Sequence, residues 1–101
     1  MFVYASVPAK KIDIIGLMSD SELLDPIEVI ALFRHGKLTP IKFRWRERVY
    51  KVLRVNGTWR QKDGTALYHY FSVNCDGPEI YELSFNNESQ AWRLERLRQQ
   101  T

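Results

Sequence analysis

The segment 41–46 alternates apolar and basic side chains, and this pattern restricts the fold more than any other feature of the chain. Ile41, Phe43 and Trp45 are its apolar members, and each is followed by a lysine or an arginine. Successive side chains of a β-strand point to opposite faces, so a period of two predicts a strand with one buried and one solvated face. We therefore expect the three apolar side chains to lie in the core of a sheet.

Turn signals divide the rest of the chain into short strands. His35-Gly36-Lys37 is typical of a hairpin turn in which Gly36 takes a positive φ. Asn56-Gly57 indicates a turn or a bulge, after which the strand resumes, and residues 46–48 fit a tight connection. The pattern predicts strands at 38–45, 49–55, 67–73 and 79–85, with 58–60 resuming the second of them beyond a bulge. Segment 91–97 is a strand or a short terminal helix.

The segment 27–34 is ambiguous from its local pattern. Asp25 before Pro26, with Glu28 three residues after Asp25, is typical of a helix start, and Gly36 would end that helix. The segment is short and β-branched, however, and a hairpin turn and an alternating strand follow it. Local pattern leaves helix and strand equally open here.

Length and composition indicate one folded domain that is rich in sheet. Hydrophobic residues make up 45% of the 101 residues and aromatic residues 13%, which is typical of a folded chain and favours β-structure. We expect residues 1–25 to form a loosely docked N-terminal arm, in which 19–22 could start a helical turn. Residues 26–101 are expected to form a single antiparallel β domain.

The sequence offers little for a membrane, a metal or a redox function. No apolar run approaches the roughly 18 residues of a membrane helix, and residues 1–11 lack the order of a signal peptide. We therefore expect a cytoplasmic protein. Cys75 is the only cysteine, so an internal disulfide and a cysteine metal cluster are excluded, and a free structural thiol is expected.

No group of residues resembles a catalytic or cofactor site. His35 and His69 are far apart in the sequence, and neither has a second metal ligand or a nucleophile beside it. Glu79 and Glu82 would point to opposite faces of one strand, which makes them poor acid–base partners. The glycines are isolated at turns and form no phosphate-binding loop. We expect a non-enzymatic protein without catalytic, cofactor-binding or metal-binding residues.

Positive charge is concentrated in the middle of the chain. Residues 37–62 carry nine basic and one acidic side chain, a net charge of +8, whereas 1–36 carry −2 and 63–101 carry −3. Such a block is typical of a nucleic-acid footprint. It is equally consistent with basic strands that face acidic strands of the same fold.

Nucleic-acid binding is the sharpest functional hypothesis from these residues. Basic side chains would contact phosphates, and nearby aromatic rings, including Trp45, Tyr50, Tyr68 and Tyr70, would stack on bases. The competing interpretation places Trp45 in the core and treats the basic residues as an ordinary solvated strand face. The candidate nucleic-acid-binding residues are Lys42, Arg44, Arg46, Arg48, Lys51, Arg54, Trp59 and Arg60.

Seven ordered segments together resemble a known bacterial domain. They are PIEV (26–29), HGK (35–37), PxxFRWRxRxYxV (40–52), WR (59–60), YFSV (70–73), YEL (81–83) and WRL (92–94). Their order and spacing are similar to a small, functionally uncharacterised β domain that occurs free-standing. The same domain occurs at the C-terminus of ImuB-like proteins, the non-catalytic relatives of Y-family translesion DNA polymerases.

The resemblance implies a fold and a class of function. It favours a strand for 27–34 and implies a mainly all-β, five- to six-stranded antiparallel meander, either a twisted sheet or a small, partly open barrel. The strands that the resemblance implies are 27–34, 38–46, 49–59, 66–73 and 79–85, with 91–97 as a sixth. It also implies an accessory role related to DNA repair or translesion synthesis. Exposed sheet edges would then bind a protein partner or a second copy of the chain. Binding of single-stranded or damaged DNA or RNA by a basic face formed by 42–60 is the alternative.

Overall fold

The computed structural model describes residues 20–99, and this part of the chain consists of strands, turns and bends without a helix. The expectation of an all-β fold is confirmed. Segments 27–34 and 91–97, for which a helix was open, both form strands. The eight strands are β1 (Asp20–Pro26), β2 (Glu28–Arg34), β3 (Lys37–Trp45), β4 (Arg48–Lys51), β5 (Arg54–Asp63), β6 (Ala66–Asn74), β7 (Glu79–Asn86) and β8 (Trp92–Gln99).

The strands form two antiparallel sheets that are not closed into a barrel. The large sheet has the order β1-β8-β7-β6-β5, and the small sheet has the order β2-β3-β4. Consecutive strands are neighbours within each sheet, apart from β1, so the predicted meander is present in two separate pieces. The pieces share one hydrophobic core, because buried side chains of both sheets form a single cluster.

The predicted strand 49–59 is two strands, because the chain changes sheets at Val52 and Leu53. The Val52 amide donates a hydrogen bond to the carbonyl of Ile41 on β3, at 2.9 Å. The next amide, that of Leu53, donates to the carbonyl of Asn74 on β6, also at 2.9 Å. Two adjacent amides therefore bind to different sheets, so β4 ends in the small sheet and β5 begins in the large one.

Strand β1 lies within the segment assigned to the N-terminal arm. Residues 1–19 lie outside the described part of the chain, whereas β1 pairs with β8 along the edge of the large sheet. The helical start predicted at 19–22 is therefore wrong for residues 20–22. The pairing contains an irregularity around Leu24, whose φ is 53°, and this hides the alternation typical of a strand.

Strand β3 places two of its three predicted core residues inside. Phe43 and Trp45 are buried, but Ile41 is 37% exposed, so its predicted burial is wrong. Pro40 and Lys42 pair with consecutive residues of β2, which leaves Ile41 as the extra residue of a bulge. A bulge shifts the alternation by one position, and Pro40 therefore takes the buried place expected for Ile41.

A buried polar contact ties the two sheets together. Asp25 on β1 is only 4% exposed, and its Oδ2 accepts a hydrogen bond from the indole N–H of Trp45 on β3, at 3.0 Å. Arg46 Nη2 lies 3.7 Å from the same oxygen. A buried carboxylate needs such donors because burial removes its hydration. We call Asp25, Trp45 and Arg46 the sheet-linking triad.

The two hairpins of the small sheet have the same tight turn but different residues. At the β2–β3 turn, His35 and Gly36 have φ values of 52° and 72°, which confirms the predicted turn. At the β3–β4 turn, Arg46 and Glu47 have φ values of 53° and 63°, although neither is a glycine. Positive φ at both central residues is the type I′ pattern, which favours Asn and Gly.

Candidate functional site

Acidic side chains of the same fold hold two of the predicted binding residues. Arg44 Nη1 lies 3.3 Å from Glu28 Oε1 on β2, and Arg46 forms the ion pair with Asp25 described above. The Arg46 guanidinium also lies over the Trp45 ring, 4.6 Å from its centroid, as in a cation–π contact. For Arg44 and Arg46, the basic block therefore faces acidic strands of its own fold.

Three more predicted residues lie on β3 and β4 but on two sides of the small sheet. Lys42 and Lys51 are direct cross-strand partners, so their side chains share the outer face. Like charges directly opposite each other weaken strand pairing. Arg48 pairs with Trp45 on the inner side, and its guanidinium lies 5.4 Å from the Tyr50 ring centroid.

The last three predicted residues lie on β5, again on two faces. Trp59 pairs with Tyr70, which faces away from the core. Arg60 follows Trp59 and so points to the inner face. Arg54 lies on the same face as Trp59, because its partner Asn74 is on the same side of β6 as Tyr70. Arg60 is therefore separated from Trp59, whereas Arg54 shares the outer face with it.

The structure thus divides the predicted binding residues among several surfaces. The single basic face expected for 42–60 is not formed, because the chain changes sheets at 52–53 within that segment. Phosphate contacts along one strip would need these charges side by side. The part that remains together and accessible is β5.

Strand β5 is the most exposed strand of the described chain. All ten of its residues, Arg54–Asp63, are exposed, and it lies at the end of the large sheet with β6 as its only strand partner among the described residues. The unpaired side of such a strand presents backbone N–H and C=O groups that can pair with another chain. We call this side of Arg54–Asp63 the β5 edge.

A cleft of about 590 Å³ lies between the two sheets, next to β5. Phe33 contributes its ring to this cleft and is 55% exposed, a large value for an aromatic side chain on a strand. The small sheet contributes the apolar residues Ala31, Phe33 and Leu38 to the lining. The large sheet contributes Phe71 and Phe85, and Trp59 and Tyr70 also border the cleft. We call this space the β5 cleft.

The charged residues in the lining of the β5 cleft are all basic. Lys37 and Arg60 contribute to the lining, as does His69, and no aspartate or glutamate of the described chain does. Neither Lys37 nor Arg60 forms an ion pair with a carboxylate of residues 20–99. Burial lowers the pKa of His69, and the nearby positive charge of Arg60 lowers that pKa further.

Aromatic side chains cover the outer face of the large sheet beside β5. The rings of Trp59 and Tyr70 are stacked, with centroids 5.3 Å apart and planes within 5°, and Tyr68 lies 6.3 Å from Tyr70. Trp59 is 40% exposed. Burial and the charge of Glu95 raise the pKa of Tyr70, whose hydroxyl therefore stays protonated at neutral pH. We call Trp59, Tyr68 and Tyr70 the aromatic patch.

A second cleft, of about 580 Å³, lies between the sheets beside β4. Arg48 and Lys51 contribute positive charge to its lining, whereas Asp76 and Glu79 contribute negative charge. Cys75 also lies there and is a buried, free thiol. Burial raises its pKa to about 11, so the thiol is protonated at neutral pH and a poor nucleophile.

The sequence pattern identified β5 residues but did not reveal the cleft beside them. Phe33, Leu38 and Phe85 belong to different strands, and no local window of sequence shows that they meet. The one available signal was the position of Phe33 at the end of a strand, beside the turn that Gly36 forms. His69 was expected to be a half-buried strand residue, and it is only partly exposed.

Comparison of the chain with protein-family models, with curated proteins and with solved structures gave no match. Within residues 20–99 no helix is long and apolar enough to cross a membrane. The same residues include no group of three or more His, Cys, Asp and Glu side chains arranged to hold a metal ion. The resemblance to the ImuB-associated domain stays a prediction.

Proposed function

We propose that this protein is a non-enzymatic interaction module that binds an extended segment of a partner protein at the β5 edge. The partner segment would pair with β5 as an additional antiparallel or parallel strand. Main-chain hydrogen bonds would supply affinity, and pockets for alternate side chains would supply specificity. The observation that carries the proposal is the position of an open apolar cleft directly beside a long, unburied edge strand.

The two faces of β5 fit the alternation of an added strand. Side chains at every second position of the partner would point toward the β5 cleft, where Phe33 and Phe71 contribute to the lining. The positions between them would point to the outer face, toward Trp59 and Tyr70. Both faces offer aromatic surface, which is enriched where proteins bind one another.

The positive charges on β5 have a simpler explanation than partner selection, namely protection of the edge strand against unwanted pairing. Lysine and arginine on edge strands commonly prevent unwanted pairing, and β5 carries Arg54, Arg60 and Lys62. Protection alone does not require an apolar cleft behind the strand, nor a half-exposed Phe33 within it. In our proposal the charges select the partner as well as exclude others.

A peptide library tests this function even though the partner is unidentified. Random ten-residue peptides displayed on phage would be selected for binding to the intact protein, and amide hydrogen exchange would map where the selected peptides bind. We expect slower exchange of β5 amides, and loss of binding when alternate backbone nitrogens of the peptide are methylated. A library that yields no binder, or binders that protect only other strands, would overturn the proposal.

Self-association is the main competing use of the same edge. Two copies could pair β5 with β5, and light scattering over a range of concentrations would detect the dimer. A stable dimer whose β5 amides are already protected from exchange would show that the strand bound at the β5 edge belongs to a second copy of the chain. A monomer with unprotected β5 amides is the result that the proposal predicts.

Single-stranded nucleic acid is the second candidate ligand, favoured by one observation. The exposed Trp59 ring, stacked on Tyr70, is the kind of surface on which bases stack. Against it, Arg44 and Arg46 are already ion-paired. Titration of labelled single-stranded DNA at low and moderate salt tests this candidate. Tight binding that is lost in a Trp59→Ala variant would favour nucleic acid over a protein segment.

The cellular setting that we propose follows the sequence resemblance. A domain similar to the C-terminal domain of ImuB-like proteins would serve as a cytoplasmic accessory in DNA repair or translesion synthesis. Its support is the seven ordered sequence segments, which include Trp59-Arg60 on β5 itself. Loss of the gene would be expected to change damage-induced mutation rates, and unchanged rates would argue against this setting.

A further inference from the structure

The charges around the β5 edge restrict what kind of segment can bind there. Arg60 and Lys37 contribute cationic groups to the lining of the β5 cleft, and no carboxylate of residues 20–99 forms an ion pair with either. The rest of the lining is largely apolar. A ligand that complements this cleft combines large apolar groups with a negative charge.

We infer that the partner is an extended acidic segment in which a large apolar residue and a glutamate or aspartate are two positions apart. This inference rests on the proposed function of the β5 edge. The apolar side chain enters the β5 cleft, and the carboxylate lies against Arg60.

The two-residue spacing follows from the register of β5. Thr58 pairs with Phe71 and Arg60 pairs with His69, so both point to the inner side of the sheet. Residues directly opposite each other on neighbouring strands share a face. A partner residue opposite Thr58 therefore faces the apolar surface around Phe71, and the partner residue two positions further faces Arg60.

The next inward position of β5 is also basic. Lys62 pairs with Leu67 and is exposed, so a partner residue opposite it again meets a positive charge. Opposite charges on directly paired strand positions stabilise the pairing, whereas like charges weaken it. The partner residues opposite Thr58, Arg60 and Lys62 are thus apolar, acidic and acidic, and the residues between them are unrestricted.

Other anionic ligands share part of this chemistry. A free fatty acid also combines an apolar chain with a carboxylate and could enter a cleft of about 590 Å³. A fatty acid cannot pair with the main chain of β5, however. We favour the peptide because the cleft and the exposed edge strand lie side by side.

Three matched peptides test the inference on the full-length protein. The acidic peptide has the order Leu-Thr-Leu-Thr-Glu-Thr-Glu for a partner parallel to β5, and the reversed order is used for an antiparallel partner. In either order the two controls have glutamine or lysine in place of both glutamates. Fluorescence anisotropy of labelled peptides gives the affinities, and amide exchange locates the binding. We expect the acidic peptide to bind about tenfold more tightly than the glutamine peptide and more tightly still than the lysine peptide.

Variants of β5 locate the charge that selects the peptide. Arg60→Glu should reverse the preference, so that the lysine peptide binds better than the acidic one. Arg60→Gln should reduce the difference between the peptides without a reversal. Arg54→Gln is the matched control, because Arg54 lies on the same strand but on the outer face. Equal effects of the Arg54 and Arg60 variants would overturn the assignment of the selective charge to the cleft side.

The possible results separate this inference from the function on which it rests. If library peptides protect β5 but the three designed peptides bind equally, the acidic pattern is wrong and the proposed function stands. If no peptide of either kind protects β5, both are wrong. If decanoate protects the cleft residues while every peptide fails, the cleft holds a small apolar acid and no partner strand.

Discussion

The sheet-linking triad and the β5 edge are built from the same basic sequence block, yet they differ in the state of their charges. Arg46 is paired with the buried Asp25 and stacked on Trp45. Arg60 lies on a fully exposed strand beside an apolar cleft and has no carboxylate partner in residues 20–99. A count of positive charges cannot separate the two. The presence or absence of an ion pair separates them: Arg46 holds a buried carboxylate within the fold, whereas Arg60 is the residue that we propose for recognition.

The largest expected effect comes from breaking the triad. Replacing Asp25 with alanine removes the acceptor of the Trp45 indole N–H and the carboxylate beside Arg46. Leaving buried polar groups without partners typically costs about 1–3 kcal/mol each. We expect the free energy of unfolding, measured by urea titration, to fall by about 3 kcal/mol.

Two further variants show whether this loss belongs to the buried carboxylate. Asp25→Asn keeps an acceptor for the indole N–H and should lose less than Asp25→Ala. Asp63→Ala at the exposed end of β5 should change stability by less than about 0.5 kcal/mol. Similar losses of stability for Asp25→Ala and Asp63→Ala would show that the sheet-linking triad contributes no more to stability than the β5 edge does.

Substitutions in the two hairpin turns should change the stability of the protein in opposite directions. Gly36 and Glu47 both have positive φ, and a side chain in this region costs about 1 kcal/mol or more. Gly36→Ala should therefore destabilise the protein by about 1 kcal/mol, because space around Gly36 is open and only the backbone resists the change. Glu47→Gly should stabilise it by about 0.5–1 kcal/mol, because the relief of backbone strain exceeds the entropic cost of ordering a glycine.

Thermal unfolding of both variants checks this prediction. The peptide affinity of Glu47→Gly should equal that of the wild type, because the β3–β4 turn does not belong to the lining of the β5 cleft. A destabilised Glu47→Gly would mean that contacts of the glutamate side chain outweigh the strain of its backbone.

The local features of the fold were predictable from the sequence. The alternation in β3, the glycine of the β2–β3 turn and the bulge at Asn56 each depend on a few consecutive residues, and the structure confirms them. Ile41 was misplaced because its bulge depends on how β2 pairs with β3, which the segment 41–46 does not encode by itself.

The parts that were missed depend on distant residues. Strand β1 is recognisable through its pairing with β8, near the opposite end of the chain. The division of 49–59 depends on Asn74, which accepts the hydrogen bond that begins the return to the large sheet. Trp59 and Arg60, two of the predicted nucleic-acid-binding residues, are both exposed, but they lie on opposite faces of β5.

A smaller effect should separate two arginines that look alike in the sequence. Arg44→Gln removes the ion pair with Glu28, in which only the arginine is exposed, and should lower the free energy of unfolding by about 0.5 kcal/mol. Arg60→Gln removes no ion pair within the described chain and should leave stability unchanged. Affinity for the acidic peptide should fall in Arg60→Gln and stay unchanged in Arg44→Gln. If Arg44→Gln weakens peptide binding as much as Arg60→Gln, the positive charge acts over a long range and not at the cleft.

The smallest expected effect is a pH dependence that differs between stability and binding. Burial and Arg60 lower the pKa of His69 in the folded protein, so the unfolded chain takes up this proton first as the pH falls. The contribution of His69 to stability is therefore complete above about pH 6.5 and is lost below it. Binding should change in the opposite direction, because a partner carboxylate near Arg60 favours the protonated imidazole.

Affinity for the acidic peptide should thus rise as the pH is lowered from about 7 to 5, where glutamate is still largely ionised. The groups that face His69 are Arg60 on β5 and the ring of Phe85 on β7, with Lys37 in the same cleft. His69 is the only imidazole in the lining of this cleft, so His69→Gln should remove the pH dependence while the preference for the acidic peptide remains. Persistence of the full pH dependence in His69→Gln would place the responsive proton outside the β5 cleft.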